Sequence, residues 1–333
     1  MVKAFALGLT GYIGGNAMHG IFAKHPELDI SALVRNSKDD EAIKQAFNAR
    51  IVRGSLSDVE LIEQESSNSD FVLNFADADD LKVVEAILSG LKRRSGQQAG
   101  SQRKPIYLHT SGTSVIAQGN DGSFVKAAEN VFDDNKEADV KGIPPTAMHR
   151  EIDLAIFKAN DEGYVDAFII APSMIYAKGS GPVRDRSAQI PSLIQGALLK
   201  KQPIRVGDGT AVWNGVHAQD LEQLYTLVAS LALSGKDNNS SWGRFYVGAG
   251  EEHSWGEIVD RLADLLYARG KIDSKEVLVI SREEGVKINP YIGSTATNSR
   301  SVANRGKALG WKPRQNGLWD EIEDDVDGVL AQM

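Results

Sequence analysis

Three glycines spaced three apart, Gly8, Gly11 and Gly14, stand between the apolar run Val2 to Leu7 and a helical pattern that ends near Lys24. That setting suits the chemistry of a phosphate. Gly8 permits a tight turn, Gly11 lets the backbone approach a pyrophosphate, and Gly14 lets the helix lie against the strand. The free amides of the helix start, around Thr10, Tyr12 and Ile13, then hold the anion. We expect a dinucleotide site here.

A site selective for unphosphorylated NAD would place a carboxylate at the tip of the second strand, about twenty residues on, to bind the ribose hydroxyls. This chain instead reads Leu33-Val34-Arg35-Asn36-Ser37-Lys38. Arg35 and Lys38 with Asn36 can pair a 2′-phosphate, and no carboxylate at that tip is expected to repel it. The expectation is NADP(H) before NAD(H); an ordinary surface Arg in a turn is the competing explanation. Ser55 and Leu56 after the third strand would border the adenine, and Phe75 and Ala76 after the fourth would line the phosphate crevice.

These residues need strand ends to carry them. Strand-like runs occur at 3–7, 29–34, 50–52, 71–75, 106–109 and 166–171, with helical patterns between them at 39–47, 58–65, 79–93 and 146–160. Such alternation means an α/β fold with a doubly wound parallel sheet of Rossmann type. After Tyr176 the repeat breaks. Helical segments at 188–200, 220–233 and 254–268 alternate with short strands at 203–206, 244–247 and 277–280, which suits a smaller C-terminal α/β substrate lobe. The expected division is a cofactor domain over 1–176, to which segments after 203 return, and a lobe over 177–333. Residues 95–104 read as a loose connection, and 118–145 as a solvated loop or a lid. Ser254-Trp-Gly-Glu257 is a capping box.

At 333 residues, 42% of them hydrophobic and 25% charged, the chain can bury a large core. It holds no cysteine, which excludes disulfides, thiolate metal sites and a thiol nucleophile. Net charge is -8, and Lys92-Arg93-Arg94 is the main basic run, so nucleic acid is not an expected partner. No run is apolar over the length a bilayer needs, and we expect no membrane partner and a cytoplasmic location. Six histidines lie scattered without ligand spacing, and no metal is expected.

The motifs Gly8-x-x-Gly11-Tyr-Ile-Gly14, Asn74-Phe-Ala76, His109-Thr-Ser-Gly-Thr113, Ala171-Pro-Ser-Met-Ile-Tyr176, Val216-His-Ala-Gln-Asp220-Leu and Leu309-Gly-Trp-Lys-Pro313 follow one another in a familiar order. Along its whole length the chain resembles the extended short-chain dehydrogenases/reductases, which include sugar-nucleotide epimerases and dehydratases. The resemblance implies a seven-stranded parallel sheet, a nicotinamide at its C-terminal edge near Pro172 and Met174, and a small-molecule substrate between the lobes. Tyr176, Arg184 and Trp213 fall where relatives shape the substrate pocket, and Asn298 to Arg300 where relatives fold back on it. Relatives also form dimers through the helices after the fourth and fifth strands. Here Leu81, Val84, Leu88, Ile152 and Ile156 would supply the seam of a homodimer.

Family catalysis uses a Ser or Thr after the fifth strand, with a Tyr and a Lys four apart on the next helix. A free phenol, with a pKa near 10, is a poor base at neutral pH without its cation. The chain is read as lacking that dyad: counting back from Pro172 places Pro145 and His149 at the two positions. Gly112 falls where the hydroxyl should be, leaving Ser111 or Thr113 to reach the site. His149 becomes the acid/base candidate, because imidazole titrates nearest neutrality. Lys158 and Lys178 are the other cations within reach in sequence.

Two functions fit. One is an NADP(H)-dependent oxidoreductase acting on a small carbonyl or alcohol with a non-standard proton-transfer group. The other is a catalytically silent cofactor-binding regulator resembling the nitrogen-metabolite-repression proteins.

Overall fold

The computed structural model describes residues 1–97, 103–315 and 317–331. Seven strands form one parallel sheet: β1 (Lys3–Leu7), β2 (Asp29–Val34), β3 (Arg50–Arg53), β4 (Phe71–Asn74), β5 (Ile106–Thr110), β6 (Asp166–Pro172) and β7 (Phe245–Gly248). Their spatial order is β7-β6-β5-β4-β1-β2-β3. Central strands such as β4 and β5 are buried along their whole length, because helices cover both faces. Those helices are α1 (Tyr12–Lys24), α2 (Asp40–Phe47), α3 (Val59–Ser67) and α4 (Leu81–Gln97), followed by α5 (Glu137–Gly142) and α6 (Arg150–Asp161). In α1 the buried residues Gly14, Ala17, Met18 and Ile21 recur at helical spacing and form the stripe that meets the sheet.

The strand expected at 244–247 belongs to this sheet and not to the second lobe: β7 pairs with β6, Phe245 opposite Ile169. The helix expected from Thr146 begins four residues later, since His149 has φ +65°, a left-handed conformation that no helix interior accepts. Ser95 to Gln97 extend α4, and the rest of the expected connection includes 98–102, outside the described residues. Residues 118–145 are not a plain loop. They contain a 3₁₀ turn (Lys126–Glu129), a strand (Phe132–Asp133) paired with Ser301–Val302, and α5.

A second core gathers Trp213, Trp255, Leu193, Ile258, Leu262 and Leu318 around the helices Gln189–Lys200, Trp255–Ala268 and Leu318–Leu330. Ser254 and Glu257 close their capping box at the middle helix. The helix Ala218–Ser234 returns to the first core; its cap is His217, which accepts the Gln219 amide, while Asp220 instead accepts the amides of Arg314 and Gln315. Val84, Leu88, Ile152 and Ile156 are buried in the chain's own core, so they cannot form an exposed apolar seam. Among the described residues no helix is long and apolar enough to cross a membrane.

Candidate active site and cofactor cleft

The sheet order reverses between β1 and β4, and at such a switch point the loops leaving the strands part and open a crevice. A cavity of about 420 Å³ lies there, walled by Gly8, Thr10 and Gly11 after β1, Arg35 and Asn36 after β2, Ser55 and Leu56 after β3, and Phe75 and Ala76 after β4. Gly8 has φ +88°, and a Cβ on it would stand 2.7 Å from the Ala76 nitrogen; one on Gly14 would run into the Gly8 carbonyl. The strand-to-helix turn therefore has no room for side chains. Gly11, which lines the cavity, caps α1 without any side-chain hydrogen bond, and the first turn carries no acid, so no protein anion occupies the start of the helix. Asn74 shapes the opposite wall by accepting the Ala76 amide at 3.1 Å. The glycine wall and the anion-free helix start fit a dinucleotide, with the pyrophosphate at α1 and the adenosine between β2 and β3.

Several expected cofactor residues do not line this cavity with their side chains. Lys38 is exposed in the turn Ser37–Asp39 and does not line the cavity. The Tyr12 hydroxyl donates to the Ala177 carbonyl at 2.6 Å, tying α1 to the second lobe, and Ile13 packs against the first core. Pro172 ends β6, and Met174 is fully buried in the second core. Asp39 also lines the cavity, an acid that the expectation for the tip of β2 did not include. The strand tip itself carries none; the acid comes from the turn beyond it.

A second cluster gathers where β5 ends. Ser111 and Thr113 are buried, and neither hydroxyl has a hydrogen-bond partner. Between them Gly112 leaves room for His149: a Cβ on Gly112 would lie 3.1 Å from His149 Nε2. The left-handed turn at His149 sends its ring back across the start of α6, and Nδ1 meets Asp79 Oδ1 at 2.6 Å. A carboxylate on Nδ1 fixes the tautomer and leaves Nε2 toward Ser111–Thr113. Sequence reasoning missed Asp79, which lies seventy residues away in the loop after β4.

One turn into α6, Asp153 is completely buried with no hydrogen-bond partner on either oxygen. Burial pushes its carboxyl up to about 7, against the opposing pull of the nearby Ser111 hydroxyl and Arg150. Arg150, equally buried, donates to the Val140 carbonyl and stacks over Phe157 and Trp242. Behind the serine, His109 accepts or donates at Nδ1 with the Tyr107 hydroxyl, and burial first, then His149, lowers it to about 3; it stays neutral. Sequence reasoning missed Asp153 too, which lies four residues after His149 in α6.

The residues expected to meet substrate divide differently. Trp213 is buried, donates to the Thr297 carbonyl and packs on Trp255. Tyr176 is buried edge-on to His217. Arg184 lines the cofactor cleft, and Arg186 is bound to Asp324 and the buried Asp325. Lys178 pairs with Asp185, and Lys158 is exposed near the far end of α6. The spacing Tyr-x-x-x-Lys does occur once, at Tyr267 and Lys271, contrary to expectation; it lies at the half-exposed end of the helix Trp255–Ala268, not on α6.

A larger cavity, of about 550 Å³, adjoins this cluster in sequence on both sides: Val115 and Ile116 follow Thr113, and Thr146 and Ala147 precede His149. Asn298 and Arg300 also line it.

No protein-family model matches the chain. An oxidase of Acremonium sp., ucsJ, is 30% identical over 339 aligned positions, which cover 96% of this chain and 95% of that protein. An uncharacterized protein of Saccharomyces cerevisiae is 24% identical over 96% of this chain and 98% of its own. Among solved structures, the dTDP-glucose 4,6-dehydratase of Bacillus anthracis in complex with NAD superposes with a TM-score of 0.65 at 18% identity, covering 98% of this chain and 96% of that one. The UDP-glucuronic acid 4-epimerase of Bacillus cereus, bound to UDP-glucuronic acid and NAD, gives 0.64 at 13% identity, covering 99% and 100%. The fold is the Rossmann-type architecture of these extended short-chain dehydrogenase/reductase structures.

Proposed function

The chain belongs to the family of the Acremonium ucsJ oxidase, and from that premise we propose that it is an NAD(P)-dependent oxidoreductase interconverting a small carbonyl and alcohol. The observation that carries this reading is His149, held by Asp79 on one nitrogen and turned with the other toward Gly112, in the loop that leaves β5. The bound nicotinamide supplies or accepts the hydride at the substrate carbon. Thr113, whose hydroxyl has no partner within the protein, or Ser111, whose hydroxyl also faces Asp153, donates a hydrogen bond to the carbonyl oxygen. His149 Nε2 delivers the proton to that oxygen during reduction and removes it during oxidation. Asp79 holds Nδ1 and stabilises the charged imidazolium, the orienting role a carboxylate plays in other acid/base pairs. The converging hydroxyls and imidazole support turnover over a silent regulator, which has no use for them.

Within this reading NADP(H) is the preferred cofactor, because Arg35 and Asn36 stand at the cavity wall where a 2′-phosphate would lie. Asp39 on the same wall opposes that preference, and Arg35 must outweigh it. The test of function is oxidation of NADPH and NADH against a panel of aldehydes and ketones, with His149→Ala alongside. We expect turnover with some member of the panel, lowered about 10²- to 10⁴-fold in the variant at unchanged cofactor affinity. No turnover on any carbonyl overturns the assignment; normal turnover by the variant overturns the proton donor.

A further inference from the structure

Residues 178–187 run from the strand Met174–Tyr176 to the helix Gln189–Lys200, and on the way they cross the start of α1. Ala177, at φ +69°, turns the chain there, and the Tyr12 hydroxyl donates to its carbonyl. The Ser180 amide then donates to Asn16 Oδ1 at 2.9 Å, and a Cβ on Gly15 would stand 2.9 Å from the Gly181 Cα, so strap and helix meet backbone to backbone. The Gly179 amide donates to the Asp185 carbonyl at 2.8 Å and Lys178 pairs with the Asp185 carboxylate at 3.3 Å, which closes 179–185 into a loop. Beyond the loop, Arg186 is bound to Asp324 and to the buried Asp325 of the helix Leu318–Leu330. The strap is thus fastened on both sides of Arg184: to α1 before it, and to the C-terminal helix after it.

Arg184 itself is exposed and lines the 420 Å³ cavity together with Gly8, Thr10 and Gly11. Among the described residues nothing is hydrogen-bonded or ion-paired to its guanidinium. A dinucleotide brings a negative charge on each phosphate of its pyrophosphate, and the start of α1 opposes them with only about half a unit of charge. The turn from Gly8 to Gly15 contains no Lys or Arg to supply the rest. Among the described residues that line the cavity, the cations are Arg35 and Arg184. Arg35 follows β2, at the adenosine end; the strap that carries Arg184 is seated on Gly15 and Asn16, at the pyrophosphate end. A guanidinium there can fork across two phosphate oxygens.

We propose that Arg184 is a cofactor-binding residue carried by this strap, which closes over the pyrophosphate opposite the α1 amides, so that the dinucleotide is gripped from both sides. The inference rests on the NAD(P) reading of the cavity. Its test is calorimetric titration of wild type, Arg184→Ala and Arg184→Lys with NADPH, NADH and ADP, the last carrying the diphosphate without nicotinamide or 2′-phosphate. Arg184→Ala should weaken all three by one common factor, about tenfold, and Arg184→Lys should recover only part of the loss, since lysine keeps the charge without the fork. The melting temperature of the nucleotide-free protein should stay where it is, because an exposed guanidinium with no partner holds nothing in the fold together. A loss confined to NADPH would put Arg184 at the 2′-phosphate and overturn the proposal. Equal binding by wild type and Arg184→Ala would overturn it as well, leaving the dinucleotide site intact. A wild-type protein that takes none of the three nucleotides would refute the NAD(P) reading itself, and the proposal with it.

Discussion

Replacing Asp153 by Asn should stabilise the protein in alkali and change it little in acid. The side chain is wholly enclosed at the start of α6, and burial pushes its carboxyl up to about 7 from the ordinary 3.8. Between those values the folded protein keeps a proton that the unfolded chain has released. Stability from this group is therefore full below about pH 4 and is lost as pH rises through about 7. The gap between the two values corresponds to at most about 4 kcal/mol, of which about 3 kcal/mol develops between about pH 5 and about pH 8.5. Asp134 and Asp325, which burial raises to about 6, steepen the decline of the wild-type protein, but both chains share them and they cancel in the comparison. Urea unfolding of wild type and Asp153→Asn at the two pH values measures the difference directly. The variant should gain about 3 kcal/mol on the wild type across that window. A difference between the two chains that stays constant with pH refutes the reasoning, because an amide cannot titrate and a buried acid must.

The Arg35→Asp variant should bind NADPH about 10- to 100-fold more weakly and NADH nearly as before, by calorimetry, since only the 2′-phosphate needs the guanidinium. Equal losses for both nucleotides would place Arg35 away from the phosphate. Gly8→Ala should lose cofactor binding and at least about 1 kcal/mol of stability, because alanine is strained at positive φ and its methyl meets the Ala76 backbone. Thermal melts with and without NADPH would show it; a variant that melts and binds normally would remove the need for glycine at that turn.

The glycine turn, the strand ends that wall the cofactor cavity, and the six strands up to β6 were all readable in the sequence, because each depends on local spacing. Boundaries shifted by up to four residues, at the end of α4 and at the start of α6, the latter set by the left-handed His149 that no propensity announces. What could not be read were contacts between distant segments. Asp79 reaches His149 only because the loop after β4 and the start of α6 meet at one sheet edge. Trp213 and Tyr176 were plausible substrate residues by position, and the second core claimed both, since large aromatics contribute most where they are enclosed.

On the proposed reading, the pairing of His149 with a carboxylate follows from charge. A phenol becomes anionic when it gives up its proton, so a cation beside it brings its pKa toward neutrality; an imidazole is cationic before it gives up the proton, so it needs an anion. A chain with His149 at the site should therefore place a carboxylate beside it and no lysine, and Asp79 at 2.6 Å is that neighbour, with Lys158 and Lys178 both turned elsewhere. Installing the phenol alone, by His149→Tyr, should leave an acid whose pKa stays near 10 beside a repelling carboxylate, with carbonyl reduction at about pH 7 no better than in His149→Ala. Adding Asp79→Lys supplies the cation and should restore activity above that of either single variant, read as NADPH oxidation with whichever carbonyl the panel identifies. A His149→Tyr single variant as active as wild type at neutral pH would show that the side chain at this position does not carry the proton, and the role would pass to the remaining buried acid of the cluster, Asp153.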